Sequence, residues 1–163
     1  MQLHKIAKYV EIGKNEGAKL ALGGNIIKPL PGYFFEPTIF TDVSPGMRIA
    51  QEEIFGPVVS LIPAEGIDEA IHIANSVEYG LSSSIYSKNM TNAFKAIEKI
   101  EAGITYINAS TIGAEIHLPF GGTKSTGNGT REAGTTAIEE FTELKTVYFD
   151  YSGKLQKAQM DIE

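Results

Sequence analysis

Apolar residues in this chain switch repeatedly between two spacings, and that alternation limits the folds open to it. Leu3, Ile6, Ala7 and Val10 recur at helical spacing with lysines and Glu11 between them. This predicts a helix over 2–15, closed near Gly17. Residues 19–22 predict a short strand stopped by Gly23-Gly24. Residues 25–37 hold Pro29, Pro31, Gly32 and Pro37 and read as mostly loop. Further strands are predicted over 38–43, 81–87 and 104–107. The β-branched, apolar run 58–62 predicts a buried strand. Between them Ile67, Ala70, Ile71 and Ala74 form one helical stripe. Ala93, Phe94, Ile97 and Ile100 form another, ending at Gly103. Strands alternating with helices predict an α/β fold with substantial parallel pairing.

Residues 109–130 break this rhythm. Pro119 and glycines at 113, 121, 122, 127 and 129 mark a long irregular stretch, and loops of that length are usually functional. A short helix is predicted over 132–140. Residues 146–151 set Val147, Phe149 and Tyr151 against Tyr148 and Asp150, the alternation of a strand. With no obvious partner nearby, such a strand is a candidate for adding to another sheet. The tail from Lys154 is polar and is expected to fray.

Composition removes several function classes. The chain has 163 residues, near the size of one domain. Its apolar runs fall far short of the ~20 residues of a bilayer span, and residues 1–8 lack the apolar stretch of a secretory signal. A soluble, cytoplasmic protein without membrane partners is expected. The net charge of −6 argues against nucleic-acid binding. With no cysteine, the chain has no disulfide, no Cys-containing zinc site and no thiolate nucleophile. His4, His72 and His117 lie far apart, with no metal-ligand spacing, so no metal is expected. His72, between Ile71 and Ile73, reads as a helix-surface residue.

Two segments carry chemistry-bearing residues. In Glu52-Glu53-Ile54-Phe55-Gly56-Pro57 the adjacent carboxylates diverge in extended backbone, so one can face a cleft while the other faces water. A carboxylate can accept both protons of a ribose diol, and Phe55 could cover a flat heterocycle. The competing reading is an acidic turn followed by a core Phe. The second segment, Leu118-Pro119-Phe120-Gly121-Gly122-Thr123-Lys124, invites a phosphate-loop reading. Thr123 separates Gly122 from Lys124, so the G-x-x-x-x-G-K-[ST] pattern is not met. A loop held by one buried Phe is the alternative. Glu115 and His117 flank it and read as either an acid–base pair or exposed loop residues. Arg131-Glu132 reads as a structural ion pair opening the next helix.

Several motifs then follow in one order over about residues 3–151. They are Gly32-Tyr33-Phe34-Phe35-Glu36-Pro37-Thr38, Glu52-Glu53-Ile54-Phe55-Gly56-Pro57, Ala74-Asn75 with Tyr79-Gly80-Leu81, and Ala102-Gly103 with Ile107-Asn108. Pro119-Phe120-Gly121-Gly122-Thr123-Lys124 comes next, with Gly127-Asn128-Gly129, Arg131-Glu132 and Phe141-Thr142-Glu143-Leu144-Lys145-Thr146-Val147. In that order they resemble the carboxyl-terminal third of an NAD(P)-dependent aldehyde dehydrogenase. Thr130 is an extra residue between Gly129 and Arg131 relative to many members.

The resemblance implies a partial catalytic domain over 1–125, a parallel-rich sheet with flanking helices. It implies a segment over 126–163 with a helix and an oligomerisation strand. Glu53 resembles the glutamate that binds the nicotinamide ribose hydroxyls, and Phe55 the aromatic beside the nicotinamide. Residues 108–118, with Ile112, resemble the loop lining the aldehyde tunnel, and Phe120 an aromatic of its wall. The run 111–117 is similar to that of members acting on acidic semialdehydes such as 2-oxoglutarate semialdehyde. In the family a cysteine attacks the aldehyde, hydride passes to NAD or NADP, and a glutamate-activated water hydrolyses the thioester. The resemblance places that cysteine, that glutamate and the dinucleotide-binding unit upstream of the matched region. The expected function is thus a part of an aldehyde or semialdehyde oxidoreductase, completed by an amino-terminal dehydrogenase chain and with no catalytic residue of its own. The alternative is a non-catalytic oligomerisation or binding module. A homo-oligomer through 146–151 is expected, and no cofactor is expected on the isolated chain.

Overall fold

The computed structural model describes residues 1–28 and 31–154. Pro29 of the predicted loop and the tail beyond Lys154 lie outside the described residues. Helix α1 (Gln2–Asn15) has the predicted extent. It stops where Gly17 turns left-handed at φ +97°. The Gly17 and Ala18 amides then donate back to the Lys14 and Gly13 carbonyls, a termination in which glycine meets no Cβ clash.

Strand β1 (Lys19–Leu22) pairs antiparallel with β2 (Thr38–Thr41), which pairs parallel with β3 (Val58–Ser60). The one-turn helix α2 (Arg48–Gln51) lies between β2 and β3 in sequence. Ile6 and Val10 of α1, Phe40 of β2, Ile49 of α2 and Ile54 share one buried cluster. Gly13 brings α1 close to it: a Cβ there would meet Ile49 at 2.9 Å and Phe40 at 3.1 Å. The buried Thr38 hydroxyl is satisfied, donating to the Glu36 carbonyl and accepting from the Gly24 amide.

The second half builds on α3 (Ile67–Asn75) and α4 (Met90–Lys99), beside β5 (Ser82–Ile85) and β6 (Ile104–Ile107), which pair in parallel. The Asn89 side chain accepts from the Thr91 and Asn92 amides and so starts α4. Strands β4 (Tyr79–Gly80) and β7 (Thr123–Lys124) form an antiparallel pair, and α5 (Thr136–Glu140) follows. Among the described residues no hydrogen bond or ion pair joins 1–62 to 67–154.

The α/β class holds, but the details differ from expectation. Among the described residues parallel pairing is confined to β2–β3 and β5–β6, and the strands form three small sheets, not one parallel-rich sheet. Val59 and Leu61 are exposed, because β3 is an edge strand covered on one face only. The strand predicted over 81–87 is the shorter β5, which begins at Ser82 and ends at Ile85. The helix predicted over 132–140 begins only at Thr136, because Ala133 and Gly134 both turn left-handed. Elements as short as α2 and β7 are too brief to show a period. Residues 146–151 join no ladder among the described residues, and Tyr148, Phe149 and Tyr151 are exposed.

Phe40 is 0% exposed at the centre of the larger cluster. Replacing it with alanine is expected to cost about 3–5 kcal/mol through lost burial and the cavity left behind, read from urea unfolding of Phe40→Ala against the parent chain.

Candidate functional site

The turn at 52–57 is held from one side by α1. Gln2 Nε2 donates to the Ile54 and Phe55 carbonyls at 2.9 and 2.8 Å, and Lys5 Nζ donates to the Glu53 carbonyl at 3.0 Å. Tyr9 donates its hydroxyl to Glu52 Oε2 at 2.6 Å. Gln2, Lys5 and Tyr9 are spaced three and four apart, so they share one face of the helix. Ile54 is buried in the core. The turn is thus anchored by one apolar side chain and by its backbone carbonyls.

The two carboxylates divide as extended backbone requires. Glu52 has φ −106° and ψ 148°. Its oxygens take Arg48 Nε at 2.7 Å, Arg48 Nη2 at 2.9 Å and the Tyr9 hydroxyl. Arg48 also lies over the Tyr9 ring, 5.8 Å from its centroid. The bonds from Arg48 and then from Tyr9 pull the Glu52 carboxyl down to about 2. The neighbouring Glu53 is exposed, and among the described residues its carboxylate accepts no hydrogen bond. Phe55 is 74% exposed, against the reading of a core Phe, and sits at φ +54°. A bulky residue rarely adopts that conformation. The Lys5 ammonium lies 6.0 Å from its ring centroid.

The second segment is a structural clasp. Lys124 Nζ donates to the Asn75 and Val77 carbonyls at 2.7 and 3.2 Å and pairs with Glu101 at 3.0 Å. It therefore serves the C-terminal end of α3, where a cation is favoured, and not a phosphate. The Asn75 side chain completes the clasp by donating to the Lys99 carbonyl and accepting from the Glu101 amide. Gly103 lets the loop close, since a Cβ there would run into the Gly121 carbonyl. Asn108, at φ +53°, pairs through its side-chain amide with both backbone groups of Ser87.

Phe120 is half-buried and bridges to Glu132 through its backbone. It lines an open cleft of about 400 Å³ with Gly121, Gly122, Asn128, Glu132 and Phe141. Ile112 is 85% exposed on the 109–118 loop and does not line that cleft. Glu115 and His117 stand 4.0 Å apart, both exposed. That is beyond hydrogen-bond reach, so no hydrogen bond joins them. Arg131 makes no ion pair with Glu132 and lies outside the helix. Its Nη1 donates to the Gly122 and Thr130 carbonyls at 3.1 and 2.8 Å. Thr130 is held by Asn128, whose side-chain oxygen accepts from the Thr130 amide and hydroxyl.

A sequence profile described as "Aldehyde dehydrogenase family" matches residues 1–147. The chain belongs to the aldehyde dehydrogenase family. It is 44% identical over 154 residues to an alpha-ketoglutarate semialdehyde dehydrogenase of Haloferax volcanii, covering 92% of this chain and 32% of that protein. It is 45% identical over 150 residues to an alpha-ketoglutaric semialdehyde dehydrogenase of Bacillus subtilis, covering 90% and 31%. It is also 44% identical over 149 residues to a betaine aldehyde dehydrogenase of Rhizobium etli, covering 90% and 30%. The crystal structure of an NAD-dependent aldehyde dehydrogenase from Sinorhizobium meliloti superposes with TM-score 0.89 at 39% identity, covering 95% of this chain and 30% of that one. A Mycobacterium tuberculosis aldehyde dehydrogenase complexed with NAD+ gives 0.87 at 37%, covering 94% and 32%. The chain therefore spans about a third of the length of the relatives it matches.

Sequence reasoning singled out Glu53 and Phe55 but missed Gln2 and Lys5, which hold the backbone of their turn, and Tyr9 and Arg48, which hold the adjoining Glu52. The signal was present: Gln2, Lys5 and Tyr9 are polar or amphipathic at helical spacing beside the buried Ile6 and Val10. Spacing names a face of α1 but not the turn it meets. The lowered Glu52 carboxyl sets a pH signature. A group with a depressed folded value adds stability above its ordinary 4.5, and that contribution is lost as pH falls through about 2. In Glu52→Gln, urea midpoints are expected to depend less on pH between 4.5 and 2 than in the parent chain. Gly103→Ala is expected to lower the midpoint at every pH in that range, because the 119–124 loop must move to admit the methyl group.

Proposed function

We propose that this chain supplies the nicotinamide-end and aldehyde-side walls of an NAD(P)-dependent oxidoreductase that converts an aldehyde or semialdehyde to a carboxylic acid. The observation that carries this reading is the 52–57 turn. Its backbone is held by α1, while the Glu53 carboxylate and the Phe55 ring stay exposed. These residues fit a ribose and a flat heterocycle: Glu53 accepts from the ribose hydroxyls and Phe55 packs beside the nicotinamide. When bound, NAD(P) supplies the hydride acceptor. Phe120 and Ile112 lie on the aldehyde side. The thiol nucleophile comes from an amino-terminal portion, since the chain has no cysteine, and the family resemblance places the general-base glutamate there as well. Names of the Haloferax and Bacillus relatives support an acidic semialdehyde, and that of the Rhizobium relative supports aldehyde oxidation more generally.

NAD(P) is not expected to bind the isolated chain measurably, because Glu53 and Phe55 hold one end only. A second reading, a non-catalytic association module, draws on the exposed Phe141, Leu144, Tyr148, Phe149 and Tyr151. An apolar run this open favours self-association through 146–151. No helix among the described residues is long and apolar enough to cross a membrane.

Mixing the chain with the amino-terminal two-thirds of the Haloferax relative and following NADH absorbance tests the enzymatic reading. A gain in rate is expected with an acidic semialdehyde. In Glu53→Ala, kcat/KM for NAD+ should fall by roughly 10- to 100-fold, the size of a lost hydrogen bond to a charged group. No gain with any amino-terminal portion counts against the reading. Light scattering of the chain with and without residues 145–163 tests association, and a monomer in both cases removes it.

A further inference from the structure

We propose that Tyr9, Arg48 and Glu52 are positioning residues for the nicotinamide end of a bound NAD(P), acting through the backbone that carries Glu53 and Phe55. The inference rests on the reading of Glu53 and Phe55 given above and assigns a role to three neighbours that touch neither ligand nor reacting atoms.

Both Glu52 oxygens are engaged, by two bonds from Arg48 on α2 and one from Tyr9 on α1. The Glu52 side chain is thereby tied between two helices, and extended backbone at that residue directs the next side chain the other way. Phe55, two residues beyond Glu53, sits at a positive φ that a bulky side chain keeps only when its surroundings hold it there. Gln2 and Lys5 hold the carbonyls of Glu53, Ile54 and Phe55, but nothing on α1 holds the Glu53 or Phe55 side chains by hydrogen bonds. The fixed point before the turn is Glu52, and the fixed point within it is the buried Ile54.

Cohesion alone does not call for this arrangement. Helices α1 and α2 already meet through Ile6, Val10 and Ile49 in the core, with Gly13 closing the distance. The triad of Tyr9, Arg48 and Glu52 lies at the partly exposed edge of that contact, where an ion pair adds little to stability. What it adds is orientation: it sets where the chain leaves α2 and enters the turn. A pre-set turn spares a ligand the ordering of Glu53 and Phe55 on binding.

Backbone nitrogen-15 relaxation of the full chain tests the positioning directly, without any cofactor. In Glu52→Gln the order parameters of the 53–56 amides are expected to fall from the roughly 0.85 of rigid backbone to below about 0.6, while those of β2 and β5 keep their values. Tyr9→Phe should show a smaller fall at the same amides. The double variant should be no worse than Glu52→Gln alone, since both remove one network. In the assembly with the amino-terminal two-thirds of the Haloferax relative, the NAD+ dissociation constant of Glu52→Gln should rise by about 10-fold, in line with the loss of an outer supporting bond elsewhere. Unchanged order parameters at 53–56 overturn the proposal. So does a fall in them with an unchanged NAD+ dissociation constant, provided Glu53→Ala weakens NAD+ in the same assembly. If Glu53→Ala leaves NAD+ binding as it was, or no assembly binds NAD+, the reading of Glu53 fails and this inference falls with it.

Discussion

Helix α1 does two jobs with two faces, and the rest of the candidate site depends on their being on one rigid rod. Ile6 and Val10 drive it into the cluster around Phe40 and Ile49. That burial is the larger force, because each fully buried aliphatic side chain contributes about 1.5–3 kcal/mol. The direction it fixes then places Gln2, Lys5 and Tyr9 against the 52–55 backbone. The polar bonds are individually modest. They decide where the turn points, while the apolar contacts decide that the helix stays.

The second half of the chain has a different economy. Its loop from 119 to 124 is held by side chains that serve backbone carbonyls: Lys124 on Asn75 and Val77, Arg131 on Gly122 and Thr130. Such contacts require glycines where backbones pass closely, and Gly103 beside Gly121 is the tightest of these. Phe120 is positioned by this frame and reaches a cleft. The 109–118 loop, with Ile112, Ile116 and Leu118 exposed, is tied to the rest by the bonds from Ser84 to the Ala109 carbonyl and from Gly134 to the Ile116 carbonyl.

These two halves share no hydrogen bond or ion pair among the described residues, and each leaves apolar side chains open: Val59 on β3 and Leu61 just after it, Phe94 and Ile97 on α4. A chain that spans about a third of its relatives is consistent with that exposure. Surface that a larger protein buries becomes open surface in a piece. Glu53 and Phe55 are likewise exposed, and Phe120 lines an open cleft.

The residues alone determined the element types, the family, and the chemistry the chain lacks. Helical and strand periods are local, so α1, β1 and β6 were legible to within a residue, and a missing cysteine is visible in any list of letters. Three things were decided only by tertiary structure. Which of Glu52 and Glu53 is locked depended on Tyr9 and Arg48 arriving from 43 and four residues away. Whether β3 was buried depended on its place at the sheet edge. Whether 132–135 was helical depended on two left-handed residues that let Gly134 reach the Ile116 carbonyl. Apart from the Arg48 bond, each involves segments distant in sequence, and spacing along a chain carries no record of which distant face it will meet.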